Sequence, residues 1–186
     1  MPVIKTDKET IITKSIHLFR VHGYYKTSMA DLAKACGLIK GSIYHHFKGG
    51  KQELGLVCLQ YIHDVFNESI FIYAGKRSLS AQEQLDALSE GVEKYFLASE
   101  GGCLLGNWSL EVINDIPEFK EEIQAYFSSW EDALVKILVS KYSEKEAHVL
   151  AQQNISGIQG ALMMMRLYNN ETLFIRENEK TRGLLK

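Results

Sequence analysis

Two prolines are all that this 186-residue chain contains, and one of them is its second residue. Proline removes a backbone N–H and clashes with the preceding turn, so its scarcity leaves long stretches free to be helical. Cysteine is scarce as well: Cys36, Cys58 and Cys103 are widely spaced, with no C-x-x-C pair. An odd, dispersed set excludes a disulfide scaffold and a cysteine-based zinc finger, and fits a reducing cytoplasm. No apolar run approaches the roughly 20 residues that span a bilayer. Residues 1–14 carry charges and lack the apolar core of a secretory signal. Alternating strand patterns, repeats and low-complexity tracts are missing, and so are H-E-x-x-H, G-x-S-x-G and Walker A motifs. What is present is ordinary for a folded chain. Apolar residues make up 46% and charged residues 24%, which argues against disorder and supports one domain or two small ones.

The formal net charge of −2 conceals a split. Residues 1–51 hold nine Lys or Arg against Asp7, Glu9 and Asp31, a balance of +6, whereas the remainder holds 12 basic and 20 acidic residues, a balance of −8. A basic first third on an acidic remainder suggests that the first part meets a polyanion and the rest does not.

Helical periodicity accounts for most of the chain. A first helix over about 7–22 carries Ile11, Ile12, Ser15, Ile16, Leu18 and Phe19 on one side, and Gly23 ends it. Ser28 and Asp31 form a capping box that opens a short helix ending at Cys36-Gly37. A third short helix runs from Lys40 to His46, with Ile43 and Phe47 facing inward. Two short helices joined by a tight Gly-containing turn make a helix-turn-helix. Past Gly49-Gly50 a long helix reaches Ile70, and Ser80/Glu83 and Ser143/Glu146 supply two more capping boxes. Further helices are expected over 103–113, from Pro117 to Leu138, up to about Tyr168, and over 172–185. The expected fold is all-α: a helix-turn-helix domain over 1–50, then a helical domain over 51–186.

The run Gly23-Tyr24-Tyr25-Lys26-Thr27-Ser28-Met29-Ala30-Asp31-Leu32-Ala33, then Gly37, then Lys40-Gly41-Ser42-Ile43-Tyr44-His45-His46-Phe47, resembles the DNA-binding domain of TetR/AcrR-family transcriptional regulators. The likeness covers the first third of the chain. The segment from Phe47 to Leu54 has one residue more than the usual F-x-x-K-E-x-L and is similar to the F-P-G-G-K-E-x-L variant, with Lys48 in place of Pro. A shorter stretch, Gly102-Cys103-Leu104-Leu105-Gly106-Asn107, resembles the G-C-L segment of the NemR-like branch, some of whose members respond to electrophiles through that cysteine.

The chemistry of the first third suits DNA. Lys40 and Gly41 start the third helix, where a bare glycine lets the backbone approach bases. Lys40, Ser42 and His45 can reach base edges, and Tyr44 and His46 can donate to phosphate oxygens. Thr27 and Ser28 place hydroxyls at a helix start, and Lys48 and Lys51 add flanking charge. Partial core packing is the competing role for Tyr44, and a solvated pair that for His45-His46. Two adjacent histidines without further ligands make no metal site, and no cofactor is expected.

The acidic remainder is rich in aromatic and sulfur-bearing side chains, most of them expected in the core. A minority, with Trp108, Tyr126 and Trp130 as first candidates, could line a pocket for a flat, greasy effector of unknown identity. Cys103 opens a helix, where unpaired N–H groups could lower its pKa and make it a sensor; the competing role is a small buried hydrophobe. Cys36 and Cys58 fall on apolar faces and are expected to be inert. Met163-Met164-Met165 cannot all face one core, and Gly157, Gly160 and Ala161 allow close helix approach. The resemblance implies that the last two helices pair with their counterparts in a homodimer. The leading expectation is a cytoplasmic, homodimeric repressor, not an enzyme, bound to an inverted-repeat operator in double-stranded DNA, with no membrane partner. It would be released by a small molecule or a thiol-reactive electrophile. The alternatives are a cysteine-dependent helical enzyme and an effector-independent DNA-binding protein.

Overall fold

The structure is a computed structural model that describes residues 7–186; the start of the expected DNA-binding segment, residues 1–6, lies outside the described residues. Among these there are nine α-helices and no strand. They are α1 (Lys8–His22), α2 (Met29–Ala35), α3 (Lys40–His46), α4 (Gly50–Ser69), α5 (Ala81–Leu97), α6 (Leu104–Glu111), α7 (Pro117–Leu138), α8 (Glu144–Tyr168) and α9 (Thr172–Gly183), with a 3-10 turn at Phe71–Tyr73 after α4. The all-α expectation holds, and all three capping boxes form. Ser28, Ser80 and Ser143 each accept from the backbone N–H three residues on, and Asp31, Glu83 and Glu146 reach back to the N-cap backbone. Each box satisfies two N–H groups that the first helical turn leaves without partners.

The chain forms two compact units, whose boundaries fall inside α4, at the start of α6 and inside α7. The first holds α1 to α3, α4 as far as Ile62, and Leu104–Ile123. Ile11, Phe19, Leu32, Ile43, Phe47 and Leu54 bury the inner faces of its first four helices. The Trp108 indole stacks on Phe119, with centroids 5.1 Å apart, and meets Phe19 and Tyr24 edge-on at 5.0 and 5.1 Å. Gly55 makes this cluster possible: a Cβ there would lie 2.8 Å from the Phe119 ring and 3.3 Å from that of Trp108.

The second unit takes in His63–Cys103 and Gln124–Lys186. Its core gathers Phe66, Phe96, Tyr126, Trp130 and Phe174. The polar helix α9 packs against α5 and α8. Its Phe174 is fully buried, and two polar pins complete the contact. The Asn178 amide donates to the Ser89 carbonyl at 2.9 Å, and the Asn154 amide of α8 donates to the Thr181 hydroxyl at 2.7 Å. Buried amides are tolerated because they are hydrogen-bonded.

Candidate nucleic-acid interface

In the first unit α2 and α3 pack together as a helix-turn-helix. The turn is closed by Gly37, whose φ of +70° suits a residue without Cβ, while the Leu38 N–H returns to the Ala33 carbonyl at 2.8 Å. In α3 the apolar spacing does what the sequence implies. Ile43 and the following Phe47 are fully buried, which turns Lys40, Gly41, Tyr44, His45 and His46 outward, with Ser42 half-buried. Lys48 is exposed just beyond. No atom lies within 4 Å of where a Gly41 Cβ would stand, so the helix surface there is bare. The result is a cationic, hydrogen-bonding face on a short helix. At its N-cap stands Ile39, without a side-chain cap and 76% exposed.

Two of the expected contact residues turn inward. Thr27 is only 2% exposed, and its hydroxyl donates to the Gly23 carbonyl at 2.6 Å, which fixes the loop before α2 instead of offering a donor outward. Lys51 is half-buried. Its ammonium donates to the Tyr24 carbonyl at 3.1 Å and lies 4.3 Å above the Tyr24 ring. Burial lowers the Lys51 pKa, and the nearby Glu111 carboxylate opposes that shift. Ser28 remains at the surface, with its hydroxyl on Asp31 at 2.6 Å.

The loop before α2 is gripped from a distant part of the chain. Glu111, the last residue of α6, accepts from the backbone N–H of Tyr24 at 3.0 Å and from that of Tyr25 at 2.9 Å. The Tyr25 hydroxyl donates to Asp115, which raises the phenol pKa to about 12. Nothing in the local sequence marks Glu111 or Asp115, because their partners lie nearly ninety residues away.

The expected sensing residues divide between the two units. Trp108 belongs to the first unit, whereas Cys103, Tyr126 and Trp130 belong to the second. Tyr126 lies edge-on to Trp130, with centroids 6.0 Å apart, and Phe66 contacts both. The Trp130 indole N–H and the Ser89 hydroxyl are buried with no hydrogen-bond partner among the described residues. Cys103 precedes α6 after Gly101 and Gly102, both at positive φ, and is 4% exposed. Burial raises the thiol pKa of Cys36, and more strongly that of Cys58, whose S–H points to the Ile12 carbonyl. No group of three or more His, Cys, Asp or Glu among the described residues could hold a metal ion.

A helix-turn-helix with an exposed cationic second helix, set in an all-α chain, defines a DNA-binding transcriptional regulator. Residues 11–56 match the family model for bacterial regulatory proteins of the tetR family, and residues 81–179 match that for the C-terminal domain of LmrA/YxaF-like transcriptional regulators. The chain belongs to the TetR family of transcriptional regulators, with a C-terminal domain of the LmrA/YxaF-like kind. It is similar to the HTH-type transcriptional regulator LmrA of Bacillus subtilis, 26% identical over 172 residues that cover 89% of this chain and 90% of that one. It is also similar to the biofilm operon icaADBC HTH-type negative transcriptional regulator IcaR of Staphylococcus aureus, 26% identical over 141 residues, 75% of this chain and 71% of that one. Among solved structures, a TetR transcriptional regulator from Legionella pneumophila shares the fold, with a TM-score of 0.85 and 23% identity over 98% of each chain. No helix among the described residues is long and apolar enough to cross a membrane.

Proposed function

We propose that this regulator is a homodimeric, cytoplasmic repressor that binds an inverted-repeat operator and leaves it when a small-molecule effector binds. The observation that carries the reading is the outward face of α3. Burial of Ile43 and Phe47 presents Lys40, Gly41, Ser42, Tyr44, His45 and His46 together, with Lys48 beside them. Lys40, Ser42 and His45 read bases; Tyr44, His46 and Lys48 hold phosphates. Ser28 lies at the start of α2, near enough in sequence to serve the same backbone. In this reading Thr27 and Lys51 act indirectly, by shaping the loop that precedes α2. Residues 1–50 carry DNA recognition, and 51–186 carry effector binding and dimerisation. The negative regulator IcaR among its relatives supports repression.

Dimerisation is supported by α8. Val149, Gln153, Ser156, Gly160, Met163 and Leu167 are all exposed and spaced alternately by four and three residues, the spacing of a helix–helix seam. Met163 is 62% and Leu167 68% exposed, a wasteful arrangement for a lone subunit. Protein symmetry then requires a symmetric site.

The effector is proposed to be flat and largely apolar, and to bind reversibly among Tyr126, Trp130 and their aromatic neighbours. The buried indole N–H of Trp130 would gain a partner from a ligand acceptor. A second reading, adduct formation at Cys103, is favoured by the two left-handed glycines that lead into α6 at that residue. Neither reading involves turnover. Selection of bound DNA from a random pool tests the core of the proposal, with an inverted repeat expected and an asymmetric site bound by a monomer contrary to it. A Cys103→Ser protein that still answers the effector favours reversible binding; one that binds the operator but ignores an electrophile favours the adduct.

A further inference from the structure

We propose that Ile39 is a specificity-determining residue that packs against the C5 methyl of one thymine in each operator half-site. The inference rests on the DNA-binding reading above and adds a contact that its polar residues do not supply.

Ile39 stands where an apolar residue is poorly suited to the free protein. Helix N-caps favour Ser, Thr, Asp and Asn, whose side-chain oxygens accept from the first turn, and β-branched apolar residues are among the poorest choices. The chain uses the favoured kind at α1, α2, α5 and α8, where Asp7, Ser28, Ser80 and Ser143 all cap. At α3 it places Ile39, which makes no side-chain cap and is 76% exposed. The backbone there is extended, with φ −81° and ψ 153°, and the Ile39 carbonyl accepts from the Ser42 N–H at 2.9 Å. The helix therefore starts normally, and only the side chain is left without an intramolecular role. Large exposed apolar residues elsewhere in the chain include Met163 and Leu167, which fall on the α8 seam. Ile39 instead borders Lys40 and the bare surface at Gly41.

The occupant follows from groove chemistry. A recognition helix leads with its N-terminal residues, and the major-groove edges of the four bases carry a single apolar group, the thymine methyl. Lys40 beside Ile39 suits a guanine edge or a phosphate, so the two adjacent side chains can discriminate neighbouring positions. An isoleucine against a methyl removes both from water, worth about fourfold in affinity for one methyl.

The test uses the full-length protein and the operator selected from a random pool. Each thymine in one half-site is replaced singly by deoxyuridine, which lacks only the C5 methyl. One position is expected to weaken binding by about fourfold. An Ile39→Ser protein should lose that sensitivity while keeping the salt dependence set by phosphate contacts. Ser also restores a favoured N-cap, so its thermal stability should be equal to or above that of the parent, which separates lost contact from lost fold. Sensitivity to uracil that persists in Ile39→Ser overturns the assignment, and so does a site indifferent to uracil throughout. A protein that selects no site overturns the DNA-binding reading and this inference with it; a selected site without a methyl-sensitive position overturns the inference alone.

Discussion

Two lysines three positions apart do different work. Lys48 is exposed beyond α3, whereas Lys51 spends its charge on the Tyr24 carbonyl and ring. Lys48→Ala should weaken binding to all sequences alike and reduce the slope of log K against log salt by about 0.9, the release of counterions from one phosphate. Lys51→Ala should leave that slope nearly unchanged and lower the denaturation midpoint, since the Tyr24 carbonyl and ring lose the ammonium that engages them. Glu111 invites a similar separation. Glu111→Gln keeps the shape but sets an amide N–H₂ against a backbone N–H, and should destabilise the first unit by about 1–2 kcal/mol. Urea denaturation measures that loss, and operator titration should show weaker binding, because the gripped loop leads directly into α2. Tyr25 adds a pH signature. Its phenol is held to about 12 by Asp115. A raised tyrosine pKa contributes stability that is complete below the ordinary value of 10.0 and is lost as pH rises towards 12. Tyr25→Phe should remove that alkaline component from the stability profile.

At the scale of elements, capping and close approach are the deciding features. Asp31, Glu83 and Glu146 have lowered pKa values because the Ser hydroxyl and backbone N–H donate to their carboxylates. Their contribution is present above the ordinary carboxylate range and is lost as pH falls through the lowered values. Ser143→Ala should cost about 1 kcal/mol and return the Glu146 titration towards its ordinary value of 4.5, which NMR can follow. Gly55 and Gly160 make opposite cases on helices α4 and α8. Alanine gains about 1 kcal/mol over glycine in a helix, yet at Gly55 its Cβ would stand 2.8 Å from the Phe119 ring. Overpacking of about 1–3 kcal/mol should win, and Gly55→Ala should melt lower than the parent. At Gly160 nothing lies within 4 Å. Gly160→Leu should therefore keep its helical content by circular dichroism, and sedimentation should report a monomer in place of the proposed dimer.

For the whole molecule, the sequence alone determined the helices and the class of protein. Periodicity, capping boxes and glycine stops are local signals, read within a few residues, and they delimited the helix-turn-helix and the exposed face of α3. The resemblance carried by Gly23 to Phe47 was equally local. Only the tertiary structure decided the rest, because burial depends on what arrives from far along the chain. Thr27 and Lys51 look like phosphate ligands in sequence, but Gly23 and Tyr24 engage them once the loop folds. Trp108 reads as an effector-pocket candidate alongside Trp130, yet α6 places it in the first unit, stacked on Phe119. The grip of Glu111 on Tyr24 and Tyr25 spans nearly ninety residues and leaves no trace in spacing. A hydrogen-bond donor or an apolar face is written in the residue itself; whether it meets solvent, DNA or another helix is settled only when non-local segments compete for it.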